Sequence, residues 1–191
     1  MQFIEHRFEL MEWNFGVGCG SHGNGSRWLA SRLVGDRVNL IAPLGTALEY
    51  LPNPFVRSWW RGYGSAPLFA LAETLKARGC RVDMLLGAST AGKIYAPLEG
   101  KRSVNSLTIT TDDGSAGTAG LVSDVIPDLI RENDIDVIYS CGPMAMLEAI
   151  TKITQETDVV HQCLVEESMR CGIGVCMTCV LPSRETMVLC E

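Results

Sequence analysis

A chain of 191 residues, 47% hydrophobic and 20% charged, is one large domain or two small ones, and either can bury a real core. The formal net charge of −6 argues against nucleic acid as a partner, which calls for a basic face. No run approaches the roughly 18 apolar residues of a membrane span, and the start lacks the basic-then-apolar pattern of a signal peptide. Eight cysteines without an export signal fit a reducing compartment, where thiols serve metals or chemistry more often than disulfides. The expected location is the cytoplasm.

Residues 1–54 are rich in glycine (Gly16, Gly18, Gly20, Gly23, Gly25), with one predicted strand over residues 37–41 behind the turn at Gly35-Asp36. Pro43-Leu44-Gly45 then breaks the chain. This is too little for a closed β-barrel.

Residues 55–157 alternate in α/β fashion. Residues 66–78 suit a helix, apolar at Leu68, Phe69, Leu71, Ala72 and Leu75, with Pro67 in the first turn and Gly79 just past the end. Strands are expected over residues 81–86, 106–110 and 136–140. Helices are expected over 121–133, with Pro127 kinking or dividing it, and over 144–155. Strands separated by such helices imply a parallel sheet with right-handed crossovers. Residues 158–191 form a third, cysteine-bearing module.

Ligands of an open α/β sheet bind beyond the carboxyl ends of its strands. Three glycine-bearing loops fall at such ends. The first, Gly62-Tyr-Gly64-Ser65-Ala66-Pro67, leads into a helix whose free amides suit a diphosphate, although Pro67 breaks the usual dinucleotide fingerprint and a plain turn fits equally. The second runs from Thr110 to Gly120. Its Asp112 and Asp113, followed by Gly114 and Ser115, offer carboxylates to ribose hydroxyls, and an Asp-Gly turn capping the next helix is the simpler alternative. The third is Cys141-Gly142-Pro143-Met144, whose small thiol either sits beneath a flat ring or simply packs.

The end of the chain reads Cys171-Gly-Ile-Gly-Val-Cys176-Met-Thr-Cys179, with Cys190 after a further ten residues. The spacing C-x4-C-x2-C…C is the plant-type framework of a [2Fe–2S] cluster, with Cys171, Cys176, Cys179 and Cys190 as ligands. Gly172 and Gly174 permit the positive φ that curls amides around the inorganic sulfides. Zinc competes for four cysteines, but its structural sites pair two short knuckles, and here three ligands share one loop. Four unligated, buried cysteines are the remaining alternative.

Taken in order, Gly-Tyr-Gly-Ser-Ala-Pro-Leu, Thr-Asp-Asp-Gly-Ser-Ala-Gly-Thr-Ala-Gly, Cys-Gly-Pro-Met and the four-cysteine tail resemble the ferredoxin reductase-like superfamily. Within it they are similar to the electron transfer subunits of NAD-dependent (class 1B) dihydroorotate dehydrogenases, from about Ser26 to Cys190. The resemblance implies a partial flavin-binding β region (residues 1–54), an NAD-binding α/β domain (55–157) and a small [2Fe–2S] module (158–191). It places Gly62–Pro67 and Cys141–Met144 at the nicotinamide dinucleotide, with Asp112, Asp113, Gly114 and Ser115 nearby. Gly25 and Ser26 correspond to the short flavin-phosphate segment, and Pro43, Leu44 and Gly45 to the loop after the flavin barrel.

The implied task is to pass electrons from the FMN of a catalytic partner through [2Fe–2S] and FAD to NAD, in pyrimidine biosynthesis. The implied assembly contains two of each subunit. The family also has an upstream six-stranded barrel with an Arg-x-Tyr-Ser-like motif, a glycine where Arg61 stands, and a strand after the last cysteine. Their absence predicts a fragment or a misread stretch of a longer gene. Two further readings remain: a flavin/iron–sulfur subunit of a hydrogenase-like or NADH–ferredoxin oxidoreductase complex, and a zinc-stabilised binding module.

Overall fold

The computed structural model describes residues 3–10, 13–20, 23–39, 41, 48, 55–61, 66–165, 170–182 and 187–189. The chain divides into two compact units, Met1–Pro43 and Leu44–Glu191.

In the first unit, β1 (Phe3–Leu10) and β2 (Trp13–Gly20) pair antiparallel from Phe3↔Gly20 to Leu10↔Trp13. The sequence alternates as a strand requires, with Trp13, Phe15, Val17 and Cys19 separated by Asn14, Gly16 and Gly18. The glycine content masked that signal. Helix α1 (Asn24–Ala30) was also unforeseen. It opens at Gly23, whose amide donates to Ser26 Oγ at 3.0 Å, a local cap that satisfies one otherwise unpaired N–H. The strand expected over residues 37–41 is not formed: the described residues Arg37, Val38, Asn39 and Ile41 belong to no strand, and Ile41 is exposed. A strand is stabilised by a partner and a buried face, and local composition supplies neither.

The second unit is built on a parallel six-stranded sheet. Its strands are β3 (Phe55–Arg61), β4 (Arg81–Ala88), β5 (Ser106–Thr111), β6 (Thr118–Ala119), β7 (Val137–Cys141) and β8 (Val160–Leu164), in the order β6-β5-β4-β3-β7-β8. β4 is buried from Val82 to Ala88 and β7 throughout, because helices cover both faces of central parallel strands. The helices are α2 (Ala66–Ala77), α3 (Pro97–Ser103), α4 (Val122–Glu132) and α5 (Met144–Gln155).

Their apolar spacing makes the core. α2 buries Leu68, Leu71, Ala72 and Leu75, α4 buries Val122 and Ile126, and α5 buries Met146, Leu147 and Ile150. Each such leucine or isoleucine contributes roughly 1.5–3 kcal/mol relative to exposure. Pro127 does not divide α4, which runs uninterrupted through it. The proline lies on the exposed side, where water can serve the carbonyl its ring leaves unpaired. Beyond β8 the chain forms the cysteine loop and a short antiparallel pair, β9 (Val180–Pro182) with β10 (Met187–Leu189).

Among the described residues, no helix is long and apolar enough to cross a membrane.

Candidate functional site

Strand order shows where the sheet reverses its winding. From β3 the chain winds outward through β4, β5 and β6, then returns to the opposite side of β3 with β7 and β8. The reversal falls between β3 and β7, and in sheets of this kind the crevice beyond the carboxyl ends at that point receives the ligand. Register places Trp60 of β3 opposite Cys141 of β7. The loop that follows β3 and the Cys141–Met144 loop therefore start side by side. Gly62, Gly64 and Ser65 of the first loop lie outside the described residues. Ala66 and Pro67 form the first turn of α2.

Cys141 is the last residue of β7, 8% exposed, and Gly142 and Pro143 lead directly into α5 at Met144. The Pro143 carbonyl accepts from the amides of Met146 and Leu147, so the turn is fastened to the helix it begins. Neither α2 nor α5 carries an acidic residue in its first turn, whereas α4 has Asp124 there. No carboxylate within the first turns of α2 and α5 themselves offsets the partial positive charge of those helix starts.

The second predicted loop sits at the end of β5 and is tied to the end of β4. Asp112 and Asp113 donate their amides to the carbonyls of Ala88 and Ser89, and Ala91 donates its amide to Ser115 Oγ at 2.8 Å. Asp113 Oδ1 accepts from both the Ser115 amide (3.0 Å) and its hydroxyl (2.6 Å), which holds the exposed Asp113 carboxyl below the usual range. The turn does not cap the following helix, since Leu121 and Asp124 do that by themselves. Instead it brings β6 back alongside β5. Gly114 and Gly117 have φ of +70° and +65°, and a Cβ on Gly117 would meet the Ile109 carbonyl oxygen at 2.0 Å. Only glycine fits there.

Sequence reasoning overlooked the end of β4 itself, Gly87-Ala88-Ser89-Thr90. The signal was present, as a run of small residues straight after an apolar strand. It also overlooked His161, a lone histidine in a short strand, whose ring touches Ser140 and Thr151.

At the other predicted centre, Gly172 and Gly174 have φ of +66° and +71°, and Met177 adopts +57°. A methionine in that region is strained and marks a loop whose shape is imposed. The Cys176 amide lies 3.5 Å from Cys171 Sγ. Amides of Cys176, Ile173 and Val175 hold the Cys171 thiol down to about 6, because hydrogen bonds to sulfur favour the thiolate. Cys176 is exposed with its sulfur 3.1 Å from Thr178 Oγ1, and Cys179 is buried. Cys190 lies outside the described residues. Among the described residues, no three His, Cys, Asp or Glu side chains gather closely enough to hold a metal ion.

In the first unit, Gly25 and Ser26 lie on α1, and the Ser26 hydroxyl is engaged in its own helix cap. Pro43, Leu44 and Gly45 lie outside the described residues.

No family model matches the chain. It is 34% identical over 163 residues to the "Dihydroorotate dehydrogenase B (NAD(+)), electron transfer subunit" of Caldanaerobacter subterraneus subsp. tengcongensis, covering 85% of this chain and 63% of that protein. The subunit of the same name from Geobacillus kaustophilus is 37% identical over 169 residues, covering 86% and 64%. Over most of its own length the chain is similar to these electron transfer subunits.

It spans just under two thirds of the subunits' length. Among solved structures, the NADH-dependent reduced ferredoxin-NADP oxidoreductase superposes with a TM-score of 0.74 at 27% identity, over 94% of this chain and 70% of that one. The cytochrome b5 reductase domain of Ulva prolifera nitrate reductase gives 0.58 at 18% identity, over 74% and 64%, a likeness of fold. The fold is ferredoxin reductase-like, as the motifs of the electron transfer subunits led one to expect.

Proposed function

We propose that this chain carries electrons between NAD(H) and a flavoprotein partner, as the electron transfer component of a cytoplasmic NAD-dependent dihydroorotate dehydrogenase in pyrimidine biosynthesis. The observation that carries this reading is the strand reversal between β3 and β7. It pairs Trp60 at the end of β3 with Cys141 at the end of β7, and α2 and α5, which follow these strands in the chain, begin without acidic residues in their first turns. A dinucleotide diphosphate suits those helix starts. The nicotinamide would lie against Cys141, and the far ribose near Asp112, Asp113 and Ser115.

Cys171, Cys176, Cys179 and Cys190 would hold a [2Fe–2S] cluster. The C-x4-C-x2-C spacing supports this reading, as do the amides that face the Cys171 sulfur and favour the thiolate that iron binds. For FAD, the first unit offers Gly25 and Ser26 on α1. When bound, cluster and flavin supply the one-electron steps that link hydride chemistry at NAD to a partner's FMN. The chain's own residues bind the dinucleotide, hold Cys141 at its place, and keep the cysteine loop on a short, shaped turn. The partner would be the dihydroorotate dehydrogenase catalytic subunit, in a heterotetramer.

Co-purification with that catalytic subunit, with iron, sulfide, flavin and zinc measured together, tests the reading. About two irons and two sulfides per chain are expected. Zinc without visible absorbance would make the chain a zinc-stabilised module instead. The similarity to the NADH-dependent ferredoxin-NADP oxidoreductase favours one second reading, a subunit of an NADH–ferredoxin oxidoreductase complex. Identifying the neighbouring gene separates the two.

A further inference from the structure

Behind Cys141, three side chains form one hydrogen-bonded chain. His161, on β8, has Nε2 2.6 Å from Ser140 Oγ and Nδ1 3.1 Å from Thr151 Oγ1. The Thr151 hydroxyl donates to the Leu147 carbonyl at 2.8 Å. A hydroxyl has a single proton, so the Thr151 oxygen must accept from His161, and Nδ1 carries the N–H. In a neutral ring Nε2 is then an acceptor, and Ser140 donates to it. The connectivity alone dictates the tautomer. Ser140 is 0% exposed, so its hydroxyl needs this partner. Burial also pushes His161 down to about 4, consistent with a ring that stays neutral.

The placement of these groups suggests a role. Ser140 immediately precedes Cys141 on β7, and Leu147 and Thr151 lie on α5, which begins just after Pro143. A single imidazole therefore fastens both arms of the Cys141–Pro143 turn, the strand that enters and the helix that leaves. His161 itself sits on β8, the edge strand beyond β7. A turn held from both sides keeps a fixed height, and small displacements at a reacting centre are costly.

We propose that His161 is a positioning residue of the dinucleotide site: through Ser140 and Thr151 it sets the Cys141–Gly142–Pro143 turn against the nicotinamide end of the bound ligand. This rests on the dinucleotide reading above. His161 acts through its neighbours and touches no ligand.

The test compares NADH with ADP-ribose, which has the adenosine diphosphate half but no nicotinamide. Affinities of both are measured on the full chain and its Ser140→Ala, Thr151→Val, His161→Phe and His161→Gln variants. Ser140→Ala and His161→Phe should weaken NADH about tenfold, the size of one lost buried hydrogen bond, while ADP-ribose changes less than about twofold. His161→Gln, with both a donor and an acceptor, should recover part of the loss. Should His161→Phe fail to fold, Ser140→Ala carries the comparison with less disturbance.

If the variants lower the unfolding midpoint but leave the NADH-to-ADP-ribose ratio unchanged, the imidazole only joins α5 to the sheet and the assignment is wrong. Nitrogen-15 NMR of the His161 ring at pH 7 should show the Nδ1–H tautomer, and the Nε2–H form overturns the relay. An unaltered chain that binds neither ligand refutes the dinucleotide reading, and this inference falls with it.

Discussion

The backbone amide of Cys176 faces the sulfur of Cys171 across 3.5 Å, inside a loop bent by two glycines and a methionine at positive φ. That contact, with the amides of Ile173 and Val175, keeps Cys171 near 6 against an ordinary 9.0. In iron-free protein, alkylation of Cys171 by iodoacetamide should rise as pH passes about 6 and level off near neutrality, since only the thiolate reacts. Peptide mapping by mass spectrometry across pH 5–9 measures it. A midpoint above pH 8 would contradict the amide cradle.

Replacing Cys171, Cys176, Cys179 or Cys190 by Ser should each lose or destabilise the proposed [2Fe–2S] cluster, because a neutral hydroxyl is a poor ligand for iron. Cys19, Cys80 and Cys163 should tolerate the change. Iron content and visible absorbance report the outcome. Full iron retained in Cys190→Ser but lost in Cys163→Ser would show that the fourth ligand is misassigned.

Gly117 and Gly172 separate backbone strain from steric exclusion. Both have positive φ, yet a Cβ meets the Ile109 carbonyl at 2.0 Å in the first and, among the described residues, nothing within 4 Å in the second. Gly172→Ala should cost about 1 kcal/mol of stability, the left-handed penalty alone. Gly117→Ala must also displace β5 backbone and should cost about 3 kcal/mol or more. Urea denaturation measures both. Equal losses would mean that the turn after β5 adapts.

His161 makes stability depend on pH. Burial disfavours its charged form, so its pKa falls from 6.5 in the unfolded chain to about 4 in the native one. Between those values the unfolded state binds more protons. The contribution is therefore complete above pH 6.5, erodes as pH falls to about 4, and is constant below that. The ring is partly exposed, so the loss is about 1–2 kcal/mol after solvent screening. Urea titrations at pH 7.5, 5.5 and 4.5 should show it, with a smaller decline in His161→Gln. Identical pH profiles for the two proteins would rule this term out.

Around the cysteine loop, Ile173, Val175 and Met177 are 45%, 73% and 60% exposed. Apolar side chains left open beside the proposed cluster loop suit a subunit contact. Val175→Glu with Met177→Glu should leave iron content intact and abolish co-elution with the catalytic subunit in size-exclusion chromatography. Co-elution that survives both changes would move the interface elsewhere.

Local information was enough to read much of this protein. The spacing of Leu68, Leu71, Ala72 and Leu75 named α2, and the expected range 144–155 is that of α5, because a helix buries a stripe that recurs every three to four residues. The cysteine pattern was equally local, since Cys171, Cys176 and Cys179 share one short loop. Pairing was not legible. The β1–β2 hairpin hid among glycines, and residues 37–39 had a strand's composition without its partner.

Which loops meet was decided only by tertiary structure. Trp60 and Cys141 are 81 positions apart in the numbering, and strand order alone sets them opposite each other at the reversal between β3 and β7. The Ser140–His161–Thr151 relay has the same origin. A hydrogen bond depends on distances of a few ångströms between side chains on three elements, and nothing in the identity of a single histidine announces them.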